Sequence, residues 1–472
     1  MSRFFDPPAA KPLLPKEKID KVYKSMRFKV FMGSFLGYAG YYLVRKNLSL
    51  AAPDMIEEGL IDKATAGYAM SAVSIAYAFS KFIMGSVSDR SDARKFLVVG
   101  LILSALTMMS IGFIPFAAGQ IALNTAIIFT LTLVVGWLSG MGWPPCGRIM
   151  AHWFSQNERS VKMSNWNTSH TIGSGSLGLL AMWGVAVFGT MGIQQTWRAD
   201  FIVPSLFALV IAAFCWWALR DTPESCGLPS VQEYRNDYSG VKSKQKSGEK
   251  LPFKTLFVDY VLKNHWLWIV AISNVLVYMV RYGIGDWSPT YLQEEGIMSK
   301  AECKVAFSVH NYVGAVGTIV VGWISAKFFK GRCAPPNVLC MAMVAVGTLL
   351  YWQALPIAQL LCSDPQAIVA TTKVIVYAAL IIIGFFIYGP VALIGVQALN
   401  LVPKNAAGTA AGFVGLFGYL IGDAVLSKAV AGNLANNIGW NAANLSFVLA
   451  AAIGVLLCAL MWKTEKRMVE GK

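Results

Sequence analysis

Residues 374–399 form the stretch VIVYAALIIIGFFIYGPVALIGVQAL, which contains no charged side chain. A helix needs about 20 consecutive apolar residues to cross the hydrocarbon core of a bilayer. Comparable apolar stretches recur along the chain, separated by loops that carry charged residues or Pro and Gly. The sequence therefore predicts an all-α polytopic membrane protein.

The overall composition supports this prediction. Of the 472 residues, 56% are apolar and 14% are charged, whereas soluble proteins carry about 25% charged residues. Twelve membrane helices of about 20 residues each would use about 240 apolar residues. This composition argues against a soluble enzyme, a disordered chain and a disulfide scaffold. The sequence has no GxxxxGK[ST] loop, so we expect neither ATP-driven transport nor a cofactor.

The apolar segments fall into two sets of six, separated by a polar linker at 220–263 that contains charges of both signs and three prolines. We expect an N-terminal half with a cytoplasmic arm at 1–219, the cytoplasmic linker, and a C-terminal half with a cytoplasmic tail at 264–472. The twelve predicted segments are 28–50, 66–86, 95–116, 121–146, 164–190, 199–219, 264–285, 305–326, 336–356, 370–399, 406–431 and 442–462.

Basic residues are concentrated in alternate loops, for example at 90–95, 148–162 and 327–332. Cytoplasmic loops of membrane proteins carry an excess of Lys and Arg. We therefore expect both termini to lie in the cytoplasm, with an even number of membrane helices. The net charge of +15 is explained by orientation in the bilayer, and no nucleic-acid partner is expected.

Two sequence features repeat at nearly the same spacing. GSVSDR at 85–90 resembles GWISAK at 322–327, an offset of 237, and Arg45 lies 236 residues before Arg281. Transporters are commonly built from duplicated units that place the substrate between them. The repeat indicates two pseudo-symmetric six-helix halves with one binding site between them.

Charged residues within apolar segments mark the candidate site, because each costs roughly 2.5 to 3.5 kcal/mol at the bilayer centre. Several lie three or four residues from a polar side chain, a spacing that places both on one helix face. Only Asp286 and Asp423 supply nearby negative charge, so we expect an electropositive cavity. The residue sets predicted to share a helix face are Tyr38, Tyr42 and Arg45; Tyr77 and Lys81; Asn167 and His170; Tyr278 and Arg281.

A guanidinium group offers paired N–H donors that match two oxygens of a phosphate or carboxylate. Arg45 and Arg281, one from each half, could therefore clamp a tetrahedral dianion. The alternative is that Arg45 and Lys46 reach a membrane interface and that Arg281 pairs with Asp286. From spacing alone, Lys46 is predicted to be peripheral.

The histidines and cysteines do not indicate a metal site. His170 has a pKa range that would allow a pH-sensitive phosphate contact, but a hydrogen-bonded structural role is equally compatible with the sequence. His152, His265 and His310 lack partners at ligand spacing and are interpreted as interfacial or loop residues. The eight cysteines are scattered without a CxxC pair and are interpreted as packing residues.

Glycine and proline occur together in the fourth and tenth segments, in GWLSGMGWPPCG at 136–147 and GFFIYGPVALIG at 384–395. We expect these two corresponding helices to bend. Close helix packing through small residues is the alternative explanation.

Blocks in colinear order along nearly the whole chain give it a family resemblance. Among them are GYAGYYLVRKN at 37–47, GMGWPPCGR at 140–148, RYGIGDWSPTYL at 281–292 and KNAAGTAAGFVGLFGYLIG at 404–422. They resemble the organophosphate:phosphate antiporters of the major facilitator superfamily. The resemblance implies a twelve-helix inner-membrane protein that exchanges external glycerol 3-phosphate for internal inorganic phosphate as a monomer.

The resemblance also implies residue roles. Arg45 and Arg281 would hold the phosphate and His170 would join them, while Asp286 would form ion pairs and Asp89 and Arg90 would make gating contacts. Nine further residues would line the pathway, namely Lys46, Lys81, Tyr38, Tyr42, Tyr77, Asn167, Tyr278, Tyr388 and Tyr419.

The chain departs from the family pattern away from the arginine pair. Ala326 replaces an acid, His310 and Asn311 replace Tyr-Glu, Ser139 replaces a glutamine, and the run after His170 is unusually polar. These differences leave the organic part of the substrate open.

A hexose-6-phosphate antiporter would carry an acid and a base at the positions of Gly412 and Gly415, although Asp423 resembles that type. A sugar-phosphate sensor and a proton-coupled symporter are weaker alternatives.

Overall fold

The computed structural model describes residues 3–237, 255–329, 332–402 and 406–469. The described chain is helical, and its long helices match the twelve predicted segments, which confirms the all-α fold class. Part of the predicted linker, 238–254, lies outside the described residues.

The first six segments are formed by nine helices. They are α1 (Lys16–Leu43) with α2 (Asn47–Glu57), α3 (Lys63–Ser88), α4 (Ala93–Ile111), α5 (Ile121–Ser139) with α6 (Trp143–Trp153), α7 (Gln156–Asn167) leading into α8 (Ser169–Thr190), and α9 (Ala199–Ala218). A short helix, α10 (Val231–Arg235), follows in the linker.

In the described chain, eight α-helices and one π-helical segment form the last six segments. They are α11 (His265–Glu294), α12 (Lys300–Phe328), α13 (Ala334–Trp352), α14 (Ala354–Leu361) before α15 (Pro365–Asn400), then α16 (Ala407–Phe417), the π-helical segment Gly418–Val430 and α17 (Ala431–Asn437), and finally α18 (Trp440–Val469).

Among the described residues, ten segments are long and apolar enough to cross a membrane. The first two, formed by α1 with α2 and by α3, are not among them. Both contain polar and charged side chains, including Lys46 and Lys81. Their polar character reflects their position at the centre of the molecule, where Tyr38, Tyr42 and Tyr77 are buried.

The first segment is broken at Val44, Arg45 and Lys46, between α1 and α2. The Asn47 side-chain amide donates to the Leu43 carbonyl at 3.0 Å and so satisfies a group released by the break. The prediction that Arg45 continues the helix face of Tyr38 and Tyr42 is therefore wrong in detail. Arg281, by contrast, lies within the continuous helix α11.

Only one of the two expected bends is a break in the helix. The fourth segment is interrupted at 140–142, between α5 and α6, whereas α15 runs without interruption through Pro390. Bending of the tenth segment without a break stays a prediction. Proline can remain inside a membrane helix because neighbouring groups satisfy the freed backbone carbonyl.

The two sets of helices meet along two seams, where α3 packs on the π-helical segment and α17, and α8 packs on α12. Small residues permit this close approach. A Cβ at Gly67 would collide with the Lys428 carbonyl, and a Cβ at Gly178 would collide with Ser308 on α12.

We name the two ends of the bundle by their residues. The terminal end is where α1 begins and α18 ends, and the distal end is where α2 and α11 end and α12 begins. The described ion pairs between the two sets lie at the centre and towards the distal end, including Lys63 with Glu294 at 3.0 Å and Lys300 with Asp54 at 2.8 Å. In this state the two sets are joined at the distal end.

Packing within the C-terminal set can be tested at Gly317. A Cβ there would collide with the Phe385 carbonyl of α15, so Gly317→Ala should force α12 and α15 apart. Overpacking of this kind costs about 1–3 kcal/mol. We expect a lower temperature of thermal unfolding for the purified variant in detergent.

Gly322→Ala is the matched control, because Gly322 lies on the same helix and a Cβ there meets nothing within 4 Å. We expect its unfolding temperature to be unchanged or slightly higher, since Ala favours the helix. Equal unfolding temperatures for the two variants would contradict the packing described here.

Candidate anion-binding site at the centre of the molecule

Arg45 is buried against the faces of two tyrosines. Its guanidinium carbon lies 3.7 Å from the centre of the Tyr77 ring and 5.4 Å from that of Tyr42. The residue is 8% exposed. Aromatic faces attract cations through their quadrupoles, so the charge is stabilised while its N–H groups are not committed to a counter-ion.

Arg281 has a similar environment in the C-terminal set. Its guanidinium carbon lies 4.6 Å from the centre of the Tyr388 ring, 4.7 Å from Tyr282 and 5.7 Å from Tyr278. The residue is 6% exposed. Each set of helices thus contributes one buried arginine held by aromatic rings.

Aromatic contacts join these two environments. Tyr419 lies 5.2 Å from Tyr77 and 5.0 Å from Tyr278, measured between ring centres. His170 lies 5.6 Å from Tyr42 and 5.8 Å from Tyr388. The side chains form a closed circuit, which we call the arginine–aromatic ring, in the order Arg45, Tyr77, Tyr419, Tyr278, Arg281, Tyr388, His170 and Tyr42.

Among the described residues, neither arginine of this ring forms an ion pair with a carboxylate. Asp286 is instead 2.6 Å from Lys46 and 3.5 Å from Lys428. Asp423 is 2.9 Å from Lys428 and accepts from Ser74 at 2.6 Å. We call these five residues the lysine–carboxylate cluster.

The alternative in which Arg281 pairs with Asp286 is therefore wrong. Lys46 reaches the centre of the molecule through its ion pair with Asp286 and is not peripheral as the spacing predicted. The cluster contains two lysines and two carboxylates, so its charges balance. The charges of the arginine–aromatic ring remain uncompensated, which makes it suited to binding an anion.

Three other predicted residues lie beside the ring. The Lys81 ammonium is 5.9 Å from the Tyr77 ring centre and 5.8 Å from that of Tyr419. Tyr38 stands behind Tyr42 at 5.5 Å. The Asn167 carbonyl hydrogen-bonds with Nδ1 of His170, which orients the imidazole towards the ring.

Asp89 and Arg90 do not lie at this site. Both are exposed beyond the end of α3, near the terminal end, and the Asp89 backbone carbonyl accepts a hydrogen bond from Arg148. Ala326, at the corresponding position of the second repeat, is also exposed. Any gating role of Asp89 and Arg90 stays a prediction.

His310 is 2% exposed within α12, and its ring centre lies 6.5 Å from that of Tyr388. Its interpretation as an interfacial or loop residue is wrong. Asn311 accepts a hydrogen bond from the Tyr388 hydroxyl at 3.2 Å. These two departures from the family pattern therefore lie directly beside the arginine–aromatic ring.

Sequence reasoning missed four residues of this region, one of which is Ser74, the hydrogen-bond donor to Asp423. Tyr282 contacts Arg281 and lies 4.7 Å from the Lys46 ammonium, Lys428 completes the lysine–carboxylate cluster, and Trp166 stacks on Tyr38 at 4.8 Å. Lys428 could have been found as a charge inside the eleventh apolar segment. Tyr282 directly follows Arg281 in the sequence, but no spacing rule distinguishes it from its neighbours.

Comparison with known proteins places this geometry in a family. A model of the Major Facilitator Superfamily matches residues 34–427. The chain is 44% identical over 467 residues to a glycerol-3-phosphate transporter of Bacillus subtilis (strain 168), with 99% of each chain covered. It is 32% identical over 481 aligned positions to a probable hexose phosphate transport protein of Chlamydia pneumoniae, with 100% of this chain and 99% of that protein covered.

A solved structure shares the fold. A bacterial homologue of the human lysosomal transporter Spinster, in an inward-facing and unoccupied conformation, gives a TM-score of 0.68 at 16% identity over 95% of this chain and 98% of that chain. That structure shows the fold alone. The family model and the sequence relatives show that the chain belongs to the organophosphate:phosphate antiporter family of the Major Facilitator Superfamily.

Proposed function

We propose that the protein exchanges external glycerol 3-phosphate for internal inorganic phosphate across a bacterial inner membrane, by alternating access to one central site. The observation that carries this proposal is the pair Arg45 and Arg281. One comes from each set of helices, both are buried, and among the described residues neither has a carboxylate partner. The glycerol-3-phosphate transporter of Bacillus subtilis, at 44% identity, supports the choice of substrate.

The arrangement suits a phosphate dianion. Each guanidinium can donate two parallel N–H bonds to phosphate oxygens, and the hydroxyls of the surrounding tyrosines can donate to those that remain. His170 contacts Tyr42 and Tyr388 and is placed to join the contact. The glycerol moiety would extend towards His310 and Asn311.

Obligatory exchange follows from the charge of the empty site. Bringing the two sets of helices together around two unneutralised arginines is opposed by their repulsion, which is strong in a medium of low dielectric constant. A bound dianion removes that repulsion and favours the closed intermediate. Only a loaded site would then pass easily between the two openings.

The orientation belongs to the same proposal. Halves at 1–219 and 264–472, joined by the linker at 220–263, would place both termini and the terminal end in the cytoplasm. The state described here, joined at the distal end, would then be closed to the outside. One chain contributes both arginines, so a monomer would suffice for transport.

A hexose 6-phosphate is the second candidate substrate. The Chlamydia pneumoniae relative is named a probable hexose phosphate transport protein, and Asp423 with Lys428 adds charged groups near the ring. A sugar-phosphate sensor would bind ligand without net flux.

Replacing either arginine by lysine keeps the charge but loses the paired donors. A hydrogen bond to a charged group contributes about 1.5–3 kcal/mol, so we expect Arg45→Lys and Arg281→Lys each to lower phosphate exchange by about 10- to 100-fold. The measurement is uptake of labelled phosphate into phosphate-loaded proteoliposomes. Arg94→Lys is the control, because Arg94 lies against Trp216 away from the ring. Near-normal exchange by both site variants would rule out the clamp.

Substrate choice can be measured in the same vesicles. We expect glycerol 3-phosphate to compete with labelled phosphate at lower concentration than glucose 6-phosphate, because the ring is closely packed with aromatic side chains. Vesicles without internal phosphate should show no uptake. Preference for glucose 6-phosphate would favour the second candidate, and binding without flux would favour the sensor.

A further inference from the structure

A second buried ion pair joins the two sets of helices, outside the arginine–aromatic ring and the lysine–carboxylate cluster. Lys304 on α12 forms an ion pair with Asp200 on α9. Their side chains are 3% and 0% exposed, respectively. This is the most completely buried of the described ion pairs between the two sets.

The pair connects three helices at the distal part of the bundle. The Lys304 ammonium also donates to the Leu50 carbonyl of α2 at 3.4 Å. The Asp200 backbone carbonyl accepts from the Asn47 side chain at 2.7 Å. Asn47 lies two residues after Arg45, so the pair is linked directly to the chain segment that carries the site arginine.

Other ion pairs between the two sets at the distal end are more exposed. Lys63 and Glu294 have side-chain exposures of 22% and 25%, and Lys300 is 46% exposed beside Asp54. Water weakens such pairs to little or no net effect. A buried pair behaves differently, because removal of one partner leaves an uncompensated charge in a dry environment.

Among the residues that the structure describes, a buried pair at this position occurs on one of the two pseudo-equivalent seams and not on the other. The residue 237 positions before Lys304, by the offset of the sequence repeat, is Gly67, which packs against the Lys428 carbonyl. At the equivalent position of the other seam, the two sets of helices therefore pack closely through a glycine. An ion pair at this position is therefore not required by helix packing alone.

We propose that Lys304 and Asp200 are a positioning pair that holds the distal end closed and sets how often it opens during transport. This inference rests on the proposed alternating access, in which the distal end must part in each cycle. While the end is closed, the two charges neutralise each other. When it opens, the two charges separate and lose their mutual attraction, which is strong in a dry environment, so the pair weights the equilibrium towards the closed state.

The same helix connects the pair to the substrate site. Lys304 and Asn311 are seven residues apart on α12, which places them on one face, two turns apart. Asn311 accepts the hydrogen bond from Tyr388 of the arginine–aromatic ring. Opening at the pair would therefore displace the helix that supports this ring.

Distances across the distal end test the proposal. Gln194 and Glu295 lie in exposed loops of the two sets, and cysteines introduced there can carry spin labels for double electron–electron resonance. Cys226 and Cys362, the partly exposed native cysteines, are replaced by serine. In liposomes without substrate, the unsubstituted pair should give mainly the short distance.

We expect Lys304→Met and Asp200→Asn each to raise the ratio of long to short distances at least fivefold and to lower exchange by a similar factor. The double variant Asp200→Asn with Lys304→Met lacks the ion pair and should also favour the long distance. The charge swap Asp200→Lys with Lys304→Asp restores a pair and should return the ratio to within twofold of the original. A merely structural role would not produce recovery in the swap. Lys373→Met is the control, because it removes a Lys ion pair to Glu302 within the C-terminal set, and it should leave the distances unchanged.

Two results would overturn the proposal. One is an unchanged distance distribution in both single variants, and the other is a charge swap whose ratio is no closer to the original than that of the worse single variant. If a single variant does not fold, the double variant and the swap still decide. An open distribution in the double variant with an original one in the swap supports the proposal, and the same distribution in both rejects it. Absence of phosphate exchange by the unsubstituted protein, with distances that respond as expected, would reject the proposed function while retaining the positioning pair.

Discussion

The arrangement of this molecule depends on the burial of two guanidinium groups without carboxylate partners. Burying an unpaired charge is unfavourable, and proteins usually pair it or neutralise it. Here the available carboxylates, Asp286 and Asp423, are bound to Lys46 and Lys428. Aromatic faces stabilise Arg45 and Arg281 instead, and this leaves their N–H donors available to an anion.

That constraint explains why the two sets of helices must meet at the centre. Neither set alone closes the arginine–aromatic ring, which crosses between them at Tyr77 with Tyr419 and at His170 with Tyr388. The glycines of the two seams allow the rings to approach, and the ion pairs towards the distal end keep them together. Anion binding, closure of the bundle and separation of Lys304 from Asp200 therefore all contribute to the free energy of the same conformational change.

Six members of the ring were predicted from spacing because their identifying signals are local, whereas Tyr388 and Tyr419 were predicted only from the family resemblance. A charge in an apolar segment is costly wherever the helix packs, and a tyrosine three or four residues away shares its face. Arg281 with Tyr278 illustrates this. The break at Arg45 was not predicted, since it depends on the amide of Asn47 and on contacts with other helices.

Partners that are distant in the chain could not be predicted in this way. Asp286 pairs with Lys46 rather than with Arg281, across 240 residues, and Lys304 meets Asp200 across 104. Such choices are decided by which helices become neighbours and by how deeply each charge is buried. His310 was misinterpreted for the same reason. The local sequence around a histidine without nearby ligand partners does not show whether the histidine lies in a loop or beside a binding site.

The most direct test of the central claim is an experimental structure of the protein with glycerol 3-phosphate bound. The account predicts the phosphate within the arginine–aromatic ring, accepting hydrogen bonds from both Arg45 and Arg281, with the lysine–carboxylate cluster still paired. A phosphate held by Lys46 and Lys428, with either arginine left without contact to it, would contradict the account.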